Sequence, residues 1–208
     1  MDLFVSLCVG LSLAAACGMR VFLPLVALSA AANLGVVHLG AGMEWLGGWP
    51  MMIGLSIAAG IELVGYSVPW VDHALDAIAT PLAVAAGGLA MLASTGAVDH
   101  LHPAIVGGAA MLTGAGVAGT VQLGTVAARG VSSATTLGLA NPLFAMVENA
   151  ASAVLSVMAI VVPVLGALLL VTIAWLLARR WWGRRNAVIP APAPAGFRLS
   201  RSGVRARG

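Results

Sequence analysis

One polar stretch organises the sequence: Arg129-Gly-Val-Ser-Ser-Ala-Thr-Thr-Leu-Gly-Leu-Ala-Asn-Pro-Leu-Phe-Ala-Met-Val-Glu148-Asn149. It begins with an arginine, continues through serines and threonines, and places a glutamate inside an apolar segment. A charged side chain at the centre of a membrane helix costs roughly 2.5–3.5 kcal/mol on insertion scales. Because the chain has only 7 acidic residues, a glutamate in that position is expected to have a use.

The composition outside this stretch is that of a membrane protein. Of the 208 residues 61% are hydrophobic and 8% are charged, and the mean hydropathy is +1.03. Soluble domains carry roughly 25% charged residues, so a soluble fold is excluded. Since a membrane helix needs about 20 apolar residues, the sequence predicts an all-α transmembrane bundle of about six spans, with broken helices as a variant.

Apolar runs separated by polar, glycine-rich or proline-rich segments place the spans. The predicted spans are 3–32 (tilted, or bent near Gly18–Pro24), 51–68, 77–94, 104–128, 141–160 and 163–180. Between them the sequence predicts a loop at 33–50, a polar turn at 69–76, a loop at 97–103 and a polar connector at 129–140. The predicted domains are a transmembrane domain, 1–182, and a disordered tail rich in Pro, Ala and Arg, 183–208.

Arginines set the expected topology. All 10 basic residues are arginine, and all but Arg20 and Arg129 lie from Arg179 onward. Basic residues favour the cytoplasmic side, so the C-terminal end is predicted to be cytoplasmic, and six spans then place the N-terminus there too. The tail indicates contact with the lipid bilayer rather than with nucleic acid.

Two intramembrane glutamates are the leading site candidates. Glu148 and Glu62 each lie about eight residues from the inner end of a predicted span, which places both roughly 12 Å below the cytoplasmic surface. Two carboxylates that share a low-dielectric site cannot both ionise easily, and a proton- or cation-coupled carrier needs such an arrangement. The alternative is that each glutamate is hydrogen-bonded to Ser, Thr, Asn or a backbone carbonyl and only stabilises the packing of the helices. Arg20 is expected to pair with one of them or to extend to an interface.

The step Asn141-Pro142 opens the fifth predicted span, with Thr136 shortly before it. A buried helix N-terminus presents free N–H groups that bind ions in the broken helices of transporters. An ordinary turn with proline in the first helical turn is the alternative.

Two acidic-histidine groups lie in the predicted loops. Asp72 and Asp76 share one helix face with His73 between them, and Asp99, His100 and His102 form the second group. The third span separates the groups by about 30 Å, so no metal site is predicted, and Asp72 and Asp76 remain secondary candidates for solute binding. Since no catalytic or phosphate-binding motif occurs, neither an enzyme nor a cofactor is expected.

Several stretches together resemble a known family. They are Gly18-Met-Arg-Val-Phe-Leu-Pro24, residues 62–76 with Thr80-Pro81, and residues 122–148 with Arg129, Ser132, Ser133, Thr136, Gly138, Asn141, Pro142 and Glu148. Over about residues 3–178 the chain resembles small integral-membrane proteins of bacteria and plant plastids known as domain of unknown function four-one-two-six. The resemblance implies a membrane location and no particular activity. It gathers one candidate set: Arg20, Glu62, Asp72, Asp76, Arg129, Asn141 and Glu148.

The functional expectation is a small transporter or channel of the bacterial inner membrane for an ion or small solute. Glu148 and Glu62 would bind a proton or cation, Arg20 would balance charge, and Asn141 and Thr136 would line the site. The alternative is a scaffold or assembly factor that packs through the glycine-rich fourth span, around Gly116 and Gly119, and a homo-oligomer is compatible with either function.

Overall fold

The computed structural model describes residues 3–66, 69–95, 102–137 and 139–186. These residues form seven α-helices and one short 3-10 helix, Glu44–Gly47. The α-helices are α1 (Leu3–Cys17), α2 (Phe22–Asn33), α3 (Trp49–Gly65), α4 (Pro69–Ser94), α5 (Pro103–Thr136), α6 (Asn141–Val161) and α7 (Pro163–Asn186). Every regular element of the described residues is helical, which confirms the predicted all-α fold class.

The chain divides into two compact units, Met1–Val171 and Thr172–Gly208. In the second unit the Arg179 guanidinium lies over the Trp175 ring, 5.3 Å from its centroid. The predicted disordered tail begins at residue 183, inside α7, and its residues from 187 onward lie outside the described residues.

In the first unit α1 is the central helix, packed against α2, α4, α5 and α6. Leu13 and Cys17 are fully buried, and they belong to one core cluster with Ala83 and Ala90 of α4. A helix that is apolar on all sides is stable only when other helices surround it. The uniform apolar character of α1 therefore explains its central place.

Small residues let α1, α4 and α5 approach one another closely. A Cβ atom added to Gly114 of α5 would collide with the carbonyl oxygen of Gly87 in α4 and would lie 2.5 Å from Met91 Cβ. A Cβ on Gly18 would lie 2.5 Å from the carbonyl oxygen of Ala118. In lipid, where apolar burial supplies little driving force, such backbone proximity is a main source of helix packing.

The first predicted span is two helices. α1 ends at Cys17 and α2 begins at Phe22, so the bend expected near Gly18–Pro24 is a break in the helix. The Arg20 amide still bonds the Ala16 carbonyl (3.0 Å), which ends α1 in a tight turn. Pro24 falls in the first turn of α2, where its missing N–H costs nothing.

Two predicted connections are wrong. Residues 69–76, predicted as a turn, are the beginning of α4, and residues 129–136, predicted as a connector, are the end of α5. Pro69 is suited to a first helical position. In α5 the Thr135 and Thr136 hydroxyls bond the carbonyls of Val131 and Ser132 (2.9 and 2.8 Å), so the polar side chains are satisfied within the helix.

The helices have the composition of a membrane bundle. Among the described residues, Pro103–Thr136, Asn141–Val161 and Pro163–Arg180 are long and apolar enough to cross a membrane. Four apolar segments are shorter: Leu3–Cys17, Phe22–Asn33, Trp49–Gly65 and Ile78–Ser94. With 34 residues, α5 is about 51 Å long at about 1.5 Å per residue, longer than a hydrocarbon core of about 30 Å.

Candidate functional site

Glu148 of α6 lies between two arginines. Arg129 of α5 binds it with two donors: Nε contacts Oε1 at 3.2 Å, and Nη2 bonds Oε2. Arg20 Nη1 lies 3.2 Å from the same Oε2. At 1%, 5% and 6% exposure, Arg20, Arg129 and Glu148 are all buried. Paired arginine–carboxylate contacts of this kind are among the strong, directional hydrogen bonds.

Arg20 belongs to the break between α1 and α2, and α6 orients it. Its Nε donates to Asn149 Oδ1, its Nη2 to the Ala145 carbonyl (3.1 Å) and its Nη1 to the Met19 carbonyl (3.2 Å). Residues 145, 148 and 149 of α6 share one helix face because their spacings are three and four. One face of α6 therefore supplies the hydrogen-bond and ion-pair partners of Arg20, apart from the Met19 carbonyl.

Tyr66, directly after α3, joins the two arginines. The Arg20 guanidinium lies 4.0 Å and the Arg129 guanidinium 4.6 Å from the centroid of its ring. A cation over an aromatic face gains about 2 kcal/mol or more when the pair is removed from water. We call Arg20, Tyr66, Arg129, Glu148 and Asn149 the charge cluster.

Glu62 has a different role from Glu148. Its carboxylate accepts the backbone N–H groups of Val21 (2.7 Å) and Phe22 (3.0 Å), at the N-terminus of α2. These groups have no partner within the helix, and the positive end of the helix dipole favours a carboxylate there. Glu62 thus caps the helix that follows Arg20, and it does not share one open cation site with Glu148.

Asn141 and Thr136 lie at the connection from α5 to α6. Asn141 Nδ2 donates to Ser133 Oγ (3.0 Å), and Thr136 Oγ1 accepts the Ala140 N–H (3.3 Å). Thr136 is seven residues beyond Arg129, about 10 Å along the helix. Leu137 adopts a left-handed conformation, with φ of 53°, where glycine is usual. These side chains stabilise the turn, two helical turns away from the charge cluster.

The remaining candidates divide between α4 and the gap after it. Asp72 and Asp76 are backbone positions in the first half of α4, and their side chains lie outside the described residues, as do Asp99 and His100. In the ranges that the structure describes, no group of three His, Cys, Asp or Glu side chains could hold a metal ion.

Comparison with protein families gives one result. Residues 7–183 match the family described as Domain of unknown function (DUF4126). The chain belongs to this family. No curated protein and no solved structure matches it.

Membership in DUF4126 assigns no activity to the chain. The match spans α2, α3, α4, α5 and α6 completely, and it contains every residue of the charge cluster. The region that matches the family therefore contains the whole charge cluster.

Sequence reasoning missed three parts of the cluster in this DUF4126 chain: Tyr66, Asn149 and the pairing of Arg129 with Glu148. A signal for Tyr66 was available, since it is the only tyrosine and lies four residues after Glu62, on the same helix face. The Arg129–Glu148 pair was missed because Arg129 was predicted to lie in a connector, whereas it belongs to α5.

The cluster combines two cations with one directly bound carboxylate, that of Glu148. Glu62 of α3 supplies a second carboxylate, which is bound at the N-terminus of α2. Both carboxylates already have strong donors, so the geometry leaves no bare carboxylate pair for a metal cation. What the geometry can do chemically is hold an anion, since two converging guanidinium groups already bind one carboxylate.

Proposed function

We propose that this protein is a small membrane carrier in which the charge cluster is the transport site. The observation that carries the proposal is that Arg20 and Arg129 converge on the single carboxylate of Glu148 inside an apolar bundle. Ionisable groups at such depth are costly and usually mark a solute pathway or a proton relay. We further propose the bacterial inner membrane as its location, with both termini cytoplasmic, and no enzymatic activity.

Glu148 would serve as the proton site. In its ionised form it neutralises one of the two guanidinium groups and occupies the donors of both. Protonation would remove its charge and leave an excess positive charge in a low-dielectric environment, where electrostatic interactions are strong. A small anion, such as a carboxylate or a phosphate, would then bind in its place, because guanidinium groups match the geometry of both.

Binding one proton with one monovalent anion leaves the total charge of the site unchanged. The loaded and the empty carrier would then have the same net charge in the membrane. Binding of the solute would therefore not raise the electrostatic free energy of the conformational change. The geometry therefore favours coupled movement of a proton and an anion over the cation binding that the two glutamates alone had suggested.

Polar side chains of α5 lie between the cluster and the α5–α6 turn. Ser132 follows Arg129 by three residues, and the Ser132 hydroxyl is buried, with no hydrogen-bond partner among the described residues. Ser133 and Asn141 continue the polar surface toward the turn. A buried hydroxyl without a partner costs about 1–3 kcal/mol, and a passing anion would relieve that cost by accepting its hydrogen.

The test is uptake into phosphatidylcholine liposomes of radiolabelled phosphate, which crosses bilayers slowly on its own and is mainly monovalent at mildly acidic pH. We expect the wild-type protein to take it up faster when the outside is acidic. Glu148→Gln should abolish the dependence on the proton gradient, and Arg129→Gln should abolish uptake.

Glu44→Gln is the matched control, because Glu44 lies exposed in the 3-10 helix and should leave uptake unchanged. Size-exclusion profiles confirm that each variant is folded. Proton-dependent uptake that is the same in wild type and Glu148→Gln would refute the proposed mechanism.

A scaffold is the second candidate, and the surface of α5 favours it. A Cβ on Gly116 would meet no atom within 4 Å, so Gly116 offers a flat patch to another helix. Gly119 does not offer such a surface, since a Cβ atom added to it would lie 3.2 Å from Val84 Cγ2 of the same protein. The scaffold predicts liposomes without uptake and a co-purifying partner, or a second copy, that is lost in Gly116→Leu. Unchanged association in Gly116→Leu would contradict it.

A further inference from the structure

The C-terminal end of α7 carries a group of arginines that no acidic residue of the helix balances. The group consists of Arg179, Arg180, Arg184 and Arg185, and no Asp or Glu follows Glu148 in the sequence. The side chains of Arg179 and Arg180 are exposed. The helix therefore has no carboxylate of its own to neutralise these guanidinium groups.

The arginines begin where the apolar part of α7 ends. The segment Pro163–Arg180 is long and apolar enough to cross a membrane, Arg179 and Arg180 are its last two residues, and the helix continues to Asn186. Side chains at the end of a membrane-spanning segment lie at the level of the lipid headgroups. The anionic groups that these arginines meet at that level are the phosphates of phospholipids.

Two tryptophans flank Arg179 on the same face of the helix. Trp175 lies one turn before Arg179 and Trp182 one turn after it, at spacings of four and three residues. Both indole side chains are exposed, at 57% and 68% of their surface. Because an indole has an apolar body and one N–H donor, tryptophan is enriched where hydrocarbon meets headgroups. This face therefore has the side chains of a membrane interface on both sides of a cation.

The contact between Arg179 and Trp175 orients the guanidinium group, which lies over the ring at 5.3 Å from its centroid. Such a contact uses the flat face of a guanidinium, whereas its N–H donors point outward along the edge, where they match the oxygens of a phosphate. A zwitterionic lipid brings an ammonium group with its phosphate, and a group of arginines repels that ammonium. The arrangement therefore favours a phospholipid with a net negative charge.

We propose that the end of α7, at Trp175, Arg179, Arg180 and Trp182, binds the headgroup of an anionic phospholipid. All four residues belong to the second compact unit, Thr172–Gly208. General contact of a basic tail with the bilayer selects no lipid, whereas this surface retains one class of lipid at named side chains. The inference does not depend on the proposed transport function, because it uses no residue of the charge cluster.

The test is native mass spectrometry of the purified full-length protein in detergent, with equimolar dioleoyl phosphatidylglycerol and dioleoyl phosphatidylcholine. The two lipids have the same chains and differ in the charge of the headgroup. We expect the wild-type protein to retain phosphatidylglycerol in roughly tenfold preference or more, the ratio that two arginines near an anionic surface correspond to. Arg179→Gln/Arg180→Gln should remove this preference. Arg198→Gln/Arg201→Gln is the matched control, because it removes the same charge beyond α7 and should keep the preference.

A second pair of variants leaves the charge unchanged, since arginines next to a span also set the orientation of the protein in the membrane. Trp175→Leu removes the ring under Arg179 and should reduce the preference for phosphatidylglycerol about twofold to fivefold, the range of a cation–π contact at an exposed position. Trp45→Leu is its control, because Trp45 is an exposed tryptophan of the 3-10 helix, and it should have no effect.

Three outcomes would overturn the inference: equal retention of the two lipids by the wild-type protein, equal loss of preference in the two double arginine variants, or equal effects of Trp175→Leu and Trp45→Leu. Nucleic acid that co-purifies with the wild-type protein and is lost in Arg179→Gln/Arg180→Gln, without any preference between the lipids, would assign these arginines to nucleic acid instead. The assay measures lipid binding without flux, so absence of phosphate uptake would leave this inference standing.

Discussion

Removal of the carboxylate of Glu148 is the most informative perturbation, because two buried arginines depend on it. Glu148→Gln keeps the size of the side chain and leaves both guanidinium groups without their common anion. Breaking a buried ion pair by removing one partner costs about 3–5 kcal/mol. For a chain of this length, about 2–4 °C per kcal/mol gives a fall in melting temperature of roughly 6–20 °C.

A second substitution should partly reverse this loss. Arg129→Gln alone leaves Arg20 at 3.2 Å from Glu148, so one ion pair survives and the cost should be smaller than that of Glu148→Gln. In the double variant one positive and one negative charge are removed together. Arg20 then keeps its bonds to Asn149, Ala145 and Met19. The double variant should be more stable than Glu148→Gln, with a coupling energy of about 0.5–3 kcal/mol.

Thermal unfolding in detergent micelles, followed by fluorescence-detected size exclusion, measures all four proteins of this cycle. Glu44→Gln is the control, and its exposed position should change stability by less than about 0.5 kcal/mol. If the two single effects simply add in the double variant, the arginine and the glutamate do not act as a pair and the reading of the charge cluster is wrong.

Four further predictions use the same unfolding assay. Gly114→Ala should strongly destabilise the protein because its Cβ collides with the backbone of α4, whereas Gly116→Ala, at an open position, should be neutral or stabilising; equal effects would contradict the packing described. Ser12→Ala should raise stability by about 1–3 kcal/mol, since the Ser12 hydroxyl is buried and has no hydrogen-bond partner within the described part of the chain, and a loss of stability would reveal such a partner. Leu137→Gly should add about 1 kcal/mol by relieving the left-handed conformation of an exposed residue, and no gain would show that the conformation is unstrained. Glu62→Ala should cost about 0.5–2 kcal/mol through the lost cap of α2, with protease cleavage near Phe22 as the more direct readout, and unchanged cleavage would exclude a capping role.

Much of the fold could be read from hydrophobicity alone. The bounds of α6 and the start of α7 follow the apolar runs on either side of Pro163, where a helix of that total length had to break, whereas α7 continues beyond the predicted end at 180 to Asn186. The end of α5 could not be read in this way. Arg129 and Thr136 look like connector residues in sequence, but they are helical, and both have partners within the fold: Arg129 binds Glu148, and the Thr136 hydroxyl bonds the Ser132 carbonyl. Local polarity predicts a loop only when the polar groups have no partner within the fold.

The sequence by itself determined that the chain is an all-helical membrane protein and that Arg20, Glu62, Arg129 and Glu148 are its unusual residues. Composition is sufficient for that conclusion, because charge is costly in an apolar bundle wherever it lies. Only the tertiary structure decided the partners: Glu148 with two arginines, and Glu62 with the N-terminus of α2. Depth along a helix follows from counting residues, but the direction of a side chain depends on how the helices rotate and pack against one another.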